Sequence, residues 1–199
     1  MSTVPATPAA ADRPGGPRSG RNLPVAIAVG VSLAALVVLT LYTVPEFFVA
    51  LVIMAVCLAT HELTTALRAS QIHVPLGPLL AGGAFMLIAA FSAGTDALTI
   101  ATLVTIVAVA VSRAALPEST HLLRDVAVSV FVVVYLPLLA ACAMLMVDRP
   151  NGPDLVVVFI LAVVLSDTGG YAAGVLWGRH KMTPVVSPKK SWEGLAGSV

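Results

Sequence analysis

Charge is what this sequence has least of. Only 11% of its 199 residues are charged, against about 25% in a typical soluble domain. Hydrophobic residues make up 58% of the chain, and the mean hydropathy is +0.98. A single water-soluble core of this size cannot hide so much apolar surface, so the composition predicts a membrane protein. The net charge of +1 gives no general attraction to nucleic acid.

Reactive motifs are also scarce. The two cysteines, Cys57 and Cys142, lie inside apolar runs, where they are interpreted as small packing residues. The sequence has no Walker glycine loop, nucleophile elbow or dinucleotide fingerprint. His61 and Glu62 begin like the helix of a zinc peptidase, but Thr65 stands where the second histidine would be needed. This excludes a metalloprotease of that type.

Residues 1–22 are rich in Pro, Ala, Gly and Ser, which predicts a disordered cytoplasmic tail. A signal peptide is the alternative, because basic residues precede an apolar run. That run, residues 23–42, is longer than the apolar part of a typical signal peptide, and no small-residue cleavage site follows it. The sequence therefore favours a retained first span, and residues 23–199 are expected to form one transmembrane domain.

Five further apolar runs follow the first. They cover residues 47–67, 76–91, 97–111, 126–147 and 155–177. Six crossings from a cytoplasmic N-terminus place every Lys and Arg except Arg149 on the cytoplasmic side, as the positive-inside rule requires. The third and fourth runs are short for a crossing, and their glycines and threonines suit helix packing. The fold prediction is an all-α, polytopic transmembrane bundle of six spans, with a seventh beginning at Leu195.

The connector at residues 113–124 is interpreted as a plain cytoplasmic loop, with a short amphipathic segment at the interface as the alternative.

The sixth run carries an acidic residue, Asp167, near the middle of the membrane. A carboxylate there costs several kcal/mol unless it faces a polar cavity, a cation or a partner, so Asp167 is a functional candidate. A hydrogen bond to a neighbouring helix is the structural alternative. Gly170, Tyr171, Gly174 and Gly178 share its helical face. Since small residues let another backbone come close, we predict a helix or a ligand beside the acid.

A basic segment follows, with Arg179, His180 and Lys181 and then the motif Ser-Pro-Lys-Lys-Ser-Trp-Glu-Gly at residues 187–194. Ser187 is a natural N-cap and Pro188 a natural first helical residue, so a helix is predicted to begin there. The two lysines of the motif would oppose the helix dipole but would suit a bound anion. Ordinary positive-inside charge is the alternative, and His180 is assigned to a loop.

These motifs within residues 166–194 resemble the bacterial phosphatidate cytidylyltransferase family, whereas the preceding spans resemble it only in general layout. The resemblance implies an all-helical polytopic fold. It implies transfer of a cytidylyl group from CTP to phosphatidate, which gives CDP-diacylglycerol and pyrophosphate. It also implies a divalent metal ion, normally Mg²⁺, and a multi-pass protein of the plasma membrane with its active site on the cytoplasmic side.

The resemblance further implies roles for particular residues. Asp167, Lys189 and Lys190 are the expected catalytic residues, with Asp167 as a tentative metal ligand; Arg179, Lys181, Ser187, Ser191 and Glu193 are expected to bind substrate. The lipid would enter sideways from the bilayer and CTP from the cytoplasm, and a homodimer is left open. Further metal-binding aspartates of the family follow the stretch seen here, so this polypeptide alone is expected to be inactive.

Two other functions remain open at this stage. A transporter or channel fragment would also use Asp167 and the glycine face, although an ion path does not require the motif at residues 187–194. A CTP-dependent lipid kinase would share the nucleotide and differ in its product.

Overall fold

The computed structural model describes residues 23–115, 121–183 and 187–199. The predicted tail, residues 1–22, lies outside these ranges. The described helices are α1 (Leu23–Thr43), α2 (Pro45–Ala69), α3 (Leu76–Ala114), α4 (Leu122–Val133), α5 (Leu139–Val147), α6 (Gly152–Trp177) and α7 (Trp192–Ala196). A π-helical turn, Val134–Leu138, joins α4 to α5, and two short strands, β1 (Lys181–Thr183) and β2 (Ser187–Ser191), precede α7.

Five helical stretches are long and apolar enough to cross a membrane. They are Pro24–Thr43, Pro45–Ala69, Leu76–Ala114, Leu122–Val147 and Gly152–Trp177. This confirms the predicted all-α polytopic class, to which the structure adds a two-stranded antiparallel sheet. The chain divides into two units, Met1–Leu36 and Val37–Val199. The described part of the first unit is the almost wholly apolar beginning of α1.

Prolines mark two of the helix starts. Val44 is extended, with φ −142° and ψ 93°, and Pro45 then opens α2. Pro153 similarly lies in the first turn of α6, just after Gly152. The first turn of a helix tolerates proline because its N–H groups have no partner within the helix. The interruptions between apolar runs therefore become helix boundaries at these two points.

The third helical stretch, α3, doubles back on itself. As one straight helix its 39 residues would extend for roughly 58 Å, about twice the thickness of the hydrocarbon core. Gly94 breaks the helix with φ 73° and ψ −156°. A Cβ atom at Gly82 would lie 2.7 Å from Thr105 Oγ1, so the two halves lie side by side. These halves correspond to the predicted third and fourth runs, and the count of six crossings stays a prediction that this geometry favours.

The core of the second unit lies among α2, α3, α4 and α5. Its fully buried side chains include Leu79, Met86, Leu87, Val109, Val132, Val133 and Met144. Pro137 lies in the π-helical turn. Proline has no N–H for the ordinary helical hydrogen bond, so the helix adjusts locally around it. A Cβ atom at Gly83 would lie 3.2 Å from Pro137 Cβ. The glycine therefore lets α3 pack closely against the widened turn.

A buried ion pair joins the end of α3 to the start of α4. Arg113 Nη2 lies 2.7 Å from Asp125 Oδ2, and the two side chains are only 3% and 2% exposed. Arg124 Nη2 lies 3.1 Å from the other carboxylate oxygen and also donates to the Gln71 carbonyl at 2.5 Å. The interpretation of residues 113–124 as a plain loop is therefore wrong at its two ends, which are helical and tied together.

The predicted helix start at Ser187 is also wrong. Residues Ser187–Ser191 form β2, which pairs antiparallel with β1 in the register Lys181 to Ser191 and Thr183 to Ser187. The helix begins four residues later, with Ser191 as its N-cap accepting a hydrogen bond from the Gly194 N–H. The strand pairing outweighs the local Ser-Pro signal, because both Ser187 and Pro188 are compatible with an extended backbone.

The doubling back of α3 predicts that its midpoint reaches the membrane surface. In a background without Cys57 and Cys142, we expect Asp96→Cys to react with a membrane-impermeant maleimide in intact cells. Ser70→Cys, between α2 and α3, should react only after permeabilisation, while Asp148→Cys serves as an external control. Protection of the Asp96→Cys thiol in both conditions would show that α3 stays within the bilayer there.

Breaking the buried ion pair should destabilise the bundle. Arg113→Ala removes a partner of the buried Asp125 carboxylate. We expect the free energy of unfolding to fall by about 3 kcal/mol, measured as a lower melting temperature in detergent. The exposed Arg68→Ala is the matched control, with an expected change of less than about 0.5 kcal/mol. The double change Arg113→Met with Asp125→Leu should recover part of the loss. Equal melting of Arg113→Ala and the control would contradict this role.

Candidate active site

A cleft of about 730 Å³ lies between the C-terminal half of α6 and the segment formed by the hairpin and α7. Its lining comprises Ser166, Asp167, Gly170, Tyr171, Gly174 and Val175 from α6, Lys181 and Met182 from β1, Lys190 and Ser191 from β2, and Gly194, Leu195 and Ser198 from α7 and the residues after it. The structure thus brings together the predicted mid-membrane acid and part of the predicted basic segment, which are separate in the sequence.

Glycines allow α6 and α7 to touch through their backbones. A Cβ atom at Gly194 would lie 3.1 Å from the Gly170 carbonyl oxygen and 3.3 Å from Gly174 Cα. A Cβ atom at Gly170 would lie 3.0 Å from Ser198 Cβ. The predicted close approach of another backbone to the glycine face of α6 is therefore confirmed, and the element that approaches is α7.

Two serines form hydrogen bonds beside this contact, one across it and one within α7. Ser166 Oγ donates to the Ser198 carbonyl at 2.6 Å, which ties the middle of α6 to the residues after α7. Ser191 is 5% exposed, and its Oγ accepts the Gly194 N–H at 3.2 Å. Ser191 therefore lines the cleft and also caps α7. The resemblance implied that it binds substrate from a helix start, and that role stays a prediction.

The two strands of the hairpin supply the cations. Lys181 on β1 and Lys190 on β2 are exposed, and both line the same cleft as Asp167. Among the residues that the structure describes, neither lysine forms a salt bridge. The sequence predicted that Lys189 and Lys190 would converge on an anion in the first turn of a helix. Lys190 instead lies on a strand and lines the cleft with Lys181. The Lys189 side chain lies outside the described part of the structure.

Three predicted binding residues do not line the cleft: Arg179, Ser187 and Glu193. Arg179 is exposed just after the end of α6, and Ser187 lies at the far end of the hairpin. Their predicted roles stay predictions.

The Glu193 carboxylate binds His180, a residue that the sequence assigned to an ordinary loop. His180 Nδ1 lies 2.6 Å from Glu193 Oε1, and the His180 backbone N–H also donates to this carboxylate. The hydrogen bond from His180 is the main cause that lowers the pKa of Glu193 from its ordinary 4.5 to about 2. No local sequence signal predicts this pair, because the hairpin brings together residues 13 positions apart.

Asp167 is the one described carboxylate in the cleft lining. Within the described residues, no group of three or more His, Cys, Asp or Glu side chains is arranged to hold a metal ion. Mg²⁺ often takes only one or two protein carboxylates and completes its shell with water and substrate phosphates. Asp167 therefore fits as one ligand of such an ion, but the described residues supply no second carboxylate beside it.

The fold and the cleft together define a class of protein. It is a polytopic helical membrane protein in which an acid midway along a membrane helix shares a cleft with two lysines and with apolar walls. Comparison with known proteins gives the family: the chain belongs to the cytidylyltransferase family, whose model matches residues 24–199.

Three similar curated proteins come from bacteria. The phosphatidate cytidylyltransferase of Mycobacterium leprae (strain TN) is 39% identical over 198 residues, which cover 92% of this chain and 64% of that protein. The protein of the same name from Mycobacterium bovis is 38% identical over 194 residues, covering 92% of this chain and 63% of that protein. The chain thus spans somewhat less than two thirds of these relatives. A Staphylococcus saprophyticus phosphatidate cytidylyltransferase is 43% identical over 51 residues. No solved structure matches the chain at a comparable level.

The backbone contact between α6 and α7 predicts a graded response to added methyl groups. Gly194→Ala and Gly170→Ala should lower the melting temperature in detergent, because each new Cβ meets atoms at 3.0–3.1 Å. Gly174→Ala should be milder, since its Cβ would have ordinary contacts at 3.6 Å. Gly77→Ala is the control, with no described atom within 4 Å of its Cβ. A melting temperature for Gly194→Ala no lower than that of the control would contradict the observed packing.

Proposed function

We propose that this protein transfers a cytidylyl group from CTP to phosphatidate and so makes CDP-diacylglycerol and pyrophosphate for phospholipid biosynthesis. The observation that carries the proposal is the cleft in which Asp167, Lys181 and Lys190 meet between apolar walls. The names of the mycobacterial relatives support the choice of reaction. The proposed location is the plasma membrane, with the cleft open to the cytoplasm and a homodimer still to be tested.

The walls of the cleft suit a lipid that carries a phosphate. Val175, Met182 and Leu195 supply apolar surface, while Lys181 and Lys190 supply positive charge. The acyl chains of phosphatidate favour the apolar surface, and its phosphate monoester favours the positive charge of the lysines. An ion path would need polar groups but would have no use for the apolar wall, so the cleft favours a lipid substrate over a transported ion.

The chemistry requires positive charge more than it requires a protein nucleophile. A phosphate oxygen of phosphatidate forms a bond to the α-phosphorus of CTP, and the bond from that phosphorus to the β-phosphate oxygen breaks. Pyrophosphate then leaves with the bonding electron pair. Because both reactants are anions, fixed cations must offset their repulsion and the charge of the transition state. We assign this work to Lys181 and Lys190, with Lys189 as a further proposed contributor.

Asp167 has a different proposed part. As the carboxylate in the described cleft lining, it is the residue that would hold a divalent ion such as Mg²⁺. A bound divalent ion would polarise the phosphoryl oxygens and neutralise their developing charge. Asp167 would also orient the lysine side chains that share the cleft. Ser166 ties α6 to the residues after α7, and Ser191 caps α7, so their proposed contribution is to keep the acid and the lysines in one cleft.

The proposal is tested by following the label of CTP. Since the chain spans 64% of the Mycobacterium leprae relative, the assay uses the chain alone and a chimera continued with the remaining C-terminal part of that relative. In liposomes with phosphatidate and Mg²⁺, we expect the chimera to transfer the α-phosphorus label of CTP to lipid. Transfer of the γ-phosphorus label would instead identify a lipid kinase. No labelled lipid from a folded chimera would disprove both activities.

Variants of the chimera test the assigned residues. Lys190→Ala and Asp167→Asn should each lower kcat/KM by at least about tenfold, because each removes charge from the reacting centre. Arg68→Ala removes an exposed cation outside the cleft and is the matched control. Rates for Lys190→Ala equal to those of the control would refute the role of that lysine.

A further inference from the structure

Four hydrogen bonds involve His180, which lies between the end of α6 and the start of β1. The His180 N–H donates to both oxygens of the Glu193 carboxylate, at 3.2 and 3.3 Å. The imidazole Nδ1 lies 2.6 Å from Glu193 Oε1. The His180 carbonyl accepts the Trp192 N–H at 3.0 Å. The backbone and the side chain of His180 are thus both bonded to the first turn of α7.

The neighbours of this pair are the residues that build the cleft. Lys181 directly follows His180 and pairs in register with Ser191, the N-cap of α7. Gly194 directly follows Glu193 and packs against α6. The bonds between His180 and Glu193 therefore join the point where Lys181 enters the cleft to the point where α7 touches the glycine face.

The hairpin needs such a tie because its own pairing is weak. β1 has three residues, and the register shifts between Lys181 and Thr183. A two-stranded hairpin of this size is marginal in isolation, and an irregular register specifies the position of a side chain poorly. An additional fixed point at one end of the pairing determines which side chains face the cleft.

The charge of Glu193 fits a supporting position better than contact with substrate. A carboxylate facing bound phosphates would repel them, and Glu193 instead lies outside the cleft lining with its oxygens bonded to His180. The His180 side chain is 80% exposed. Because exposed pairs add little to global stability, losing this one should change local geometry far more than the melting temperature.

We infer that His180 and Glu193 form a clasp that holds Lys181 at the cleft, so that Glu193 is a positioning residue acting through that lysine. This replaces the direct contact with substrate predicted from the sequence motif. The inference rests on the proposed function for its effect on rate, while the clasp itself is a statement about the hairpin that can be measured without substrate.

A double-mutant cycle in the chimera tests the coupling to the lysine. Glu193→Ala should lower kcat/KM for CTP by about tenfold, yet by less than about threefold in a Lys181→Ala background, since the residue it positions is then gone. Glu193→Gln, whose amide oxygen still accepts from His180, should stay within about threefold of the unmodified chimera. Asp96→Ala, which removes an exposed carboxylate remote in sequence from the hairpin, is the control.

Hydrogen exchange of the purified chain in detergent measures the clasp itself. Glu193→Ala should speed exchange of the β1 and β2 amides by about tenfold, while Glu193→Gln and Asp96→Ala should leave it unchanged. Unchanged exchange in Glu193→Ala would overturn the clasp whether or not the chimera is active.

In the double-mutant cycle, equal losses of kcat/KM with and without Lys181 would show that Glu193 acts on substrate directly. If Glu193→Ala lowered the melting temperature of the chain as strongly as it lowered kcat/KM, Glu193 would have a merely structural role.

Discussion

The site depends on the backbone contact between α6 and α7. Helix α7 has only five residues, too few to be stable as an isolated helix in water. It is held by the glycine faces of the two helices, by the Ser191 cap and by the hydrogen bond from Ser166 to Ser198. Since α7 continues directly from β2, this contact also sets the distance between Asp167 and the lysines. Side chains larger than glycine would separate the acid from the cations.

The other helices of the second unit form a core that contacts α6 only in part. The two halves of α3 pack against each other, and the buried pair of Arg113 and Asp125 joins α3 to α4. In the described part of the chain α6 buries only Gly152, Val156 and Ala173, and its start is tied by the hydrogen bond from Tyr42 to Asp154. Within the second unit the cleft thus lies outside the core helices, so the proposed lipid substrate would not have to pass between them.

The pattern of apolar residues and glycines along the sequence predicts the glycine face of α6 and the two halves of α3. It placed Gly170 and Gly174 on the face of Asp167, and two short apolar runs anticipated the halves of α3 on either side of Gly94. The start of α7 was mispredicted, because Ser187 and Pro188 give a plausible local cap while the strand pairing that overrides it is not local. For the same reason the sequence does not predict the pairings of His180 and Arg113, because their partners become neighbours only after the chain has folded.

The charges of the cleft explain why one short stretch carries both an acid and several bases. A carboxylate alone at the middle of a membrane helix is costly, and so is an uncompensated ammonium group near apolar walls. Charges of opposite sign in one cleft can reduce that cost, and among the described lining residues two lysines face one acid, an excess of one positive charge. The proposed anionic substrates would meet this excess with negative charge of their own. In the proposed function, these cations remain available to bind the phosphate groups of the substrates.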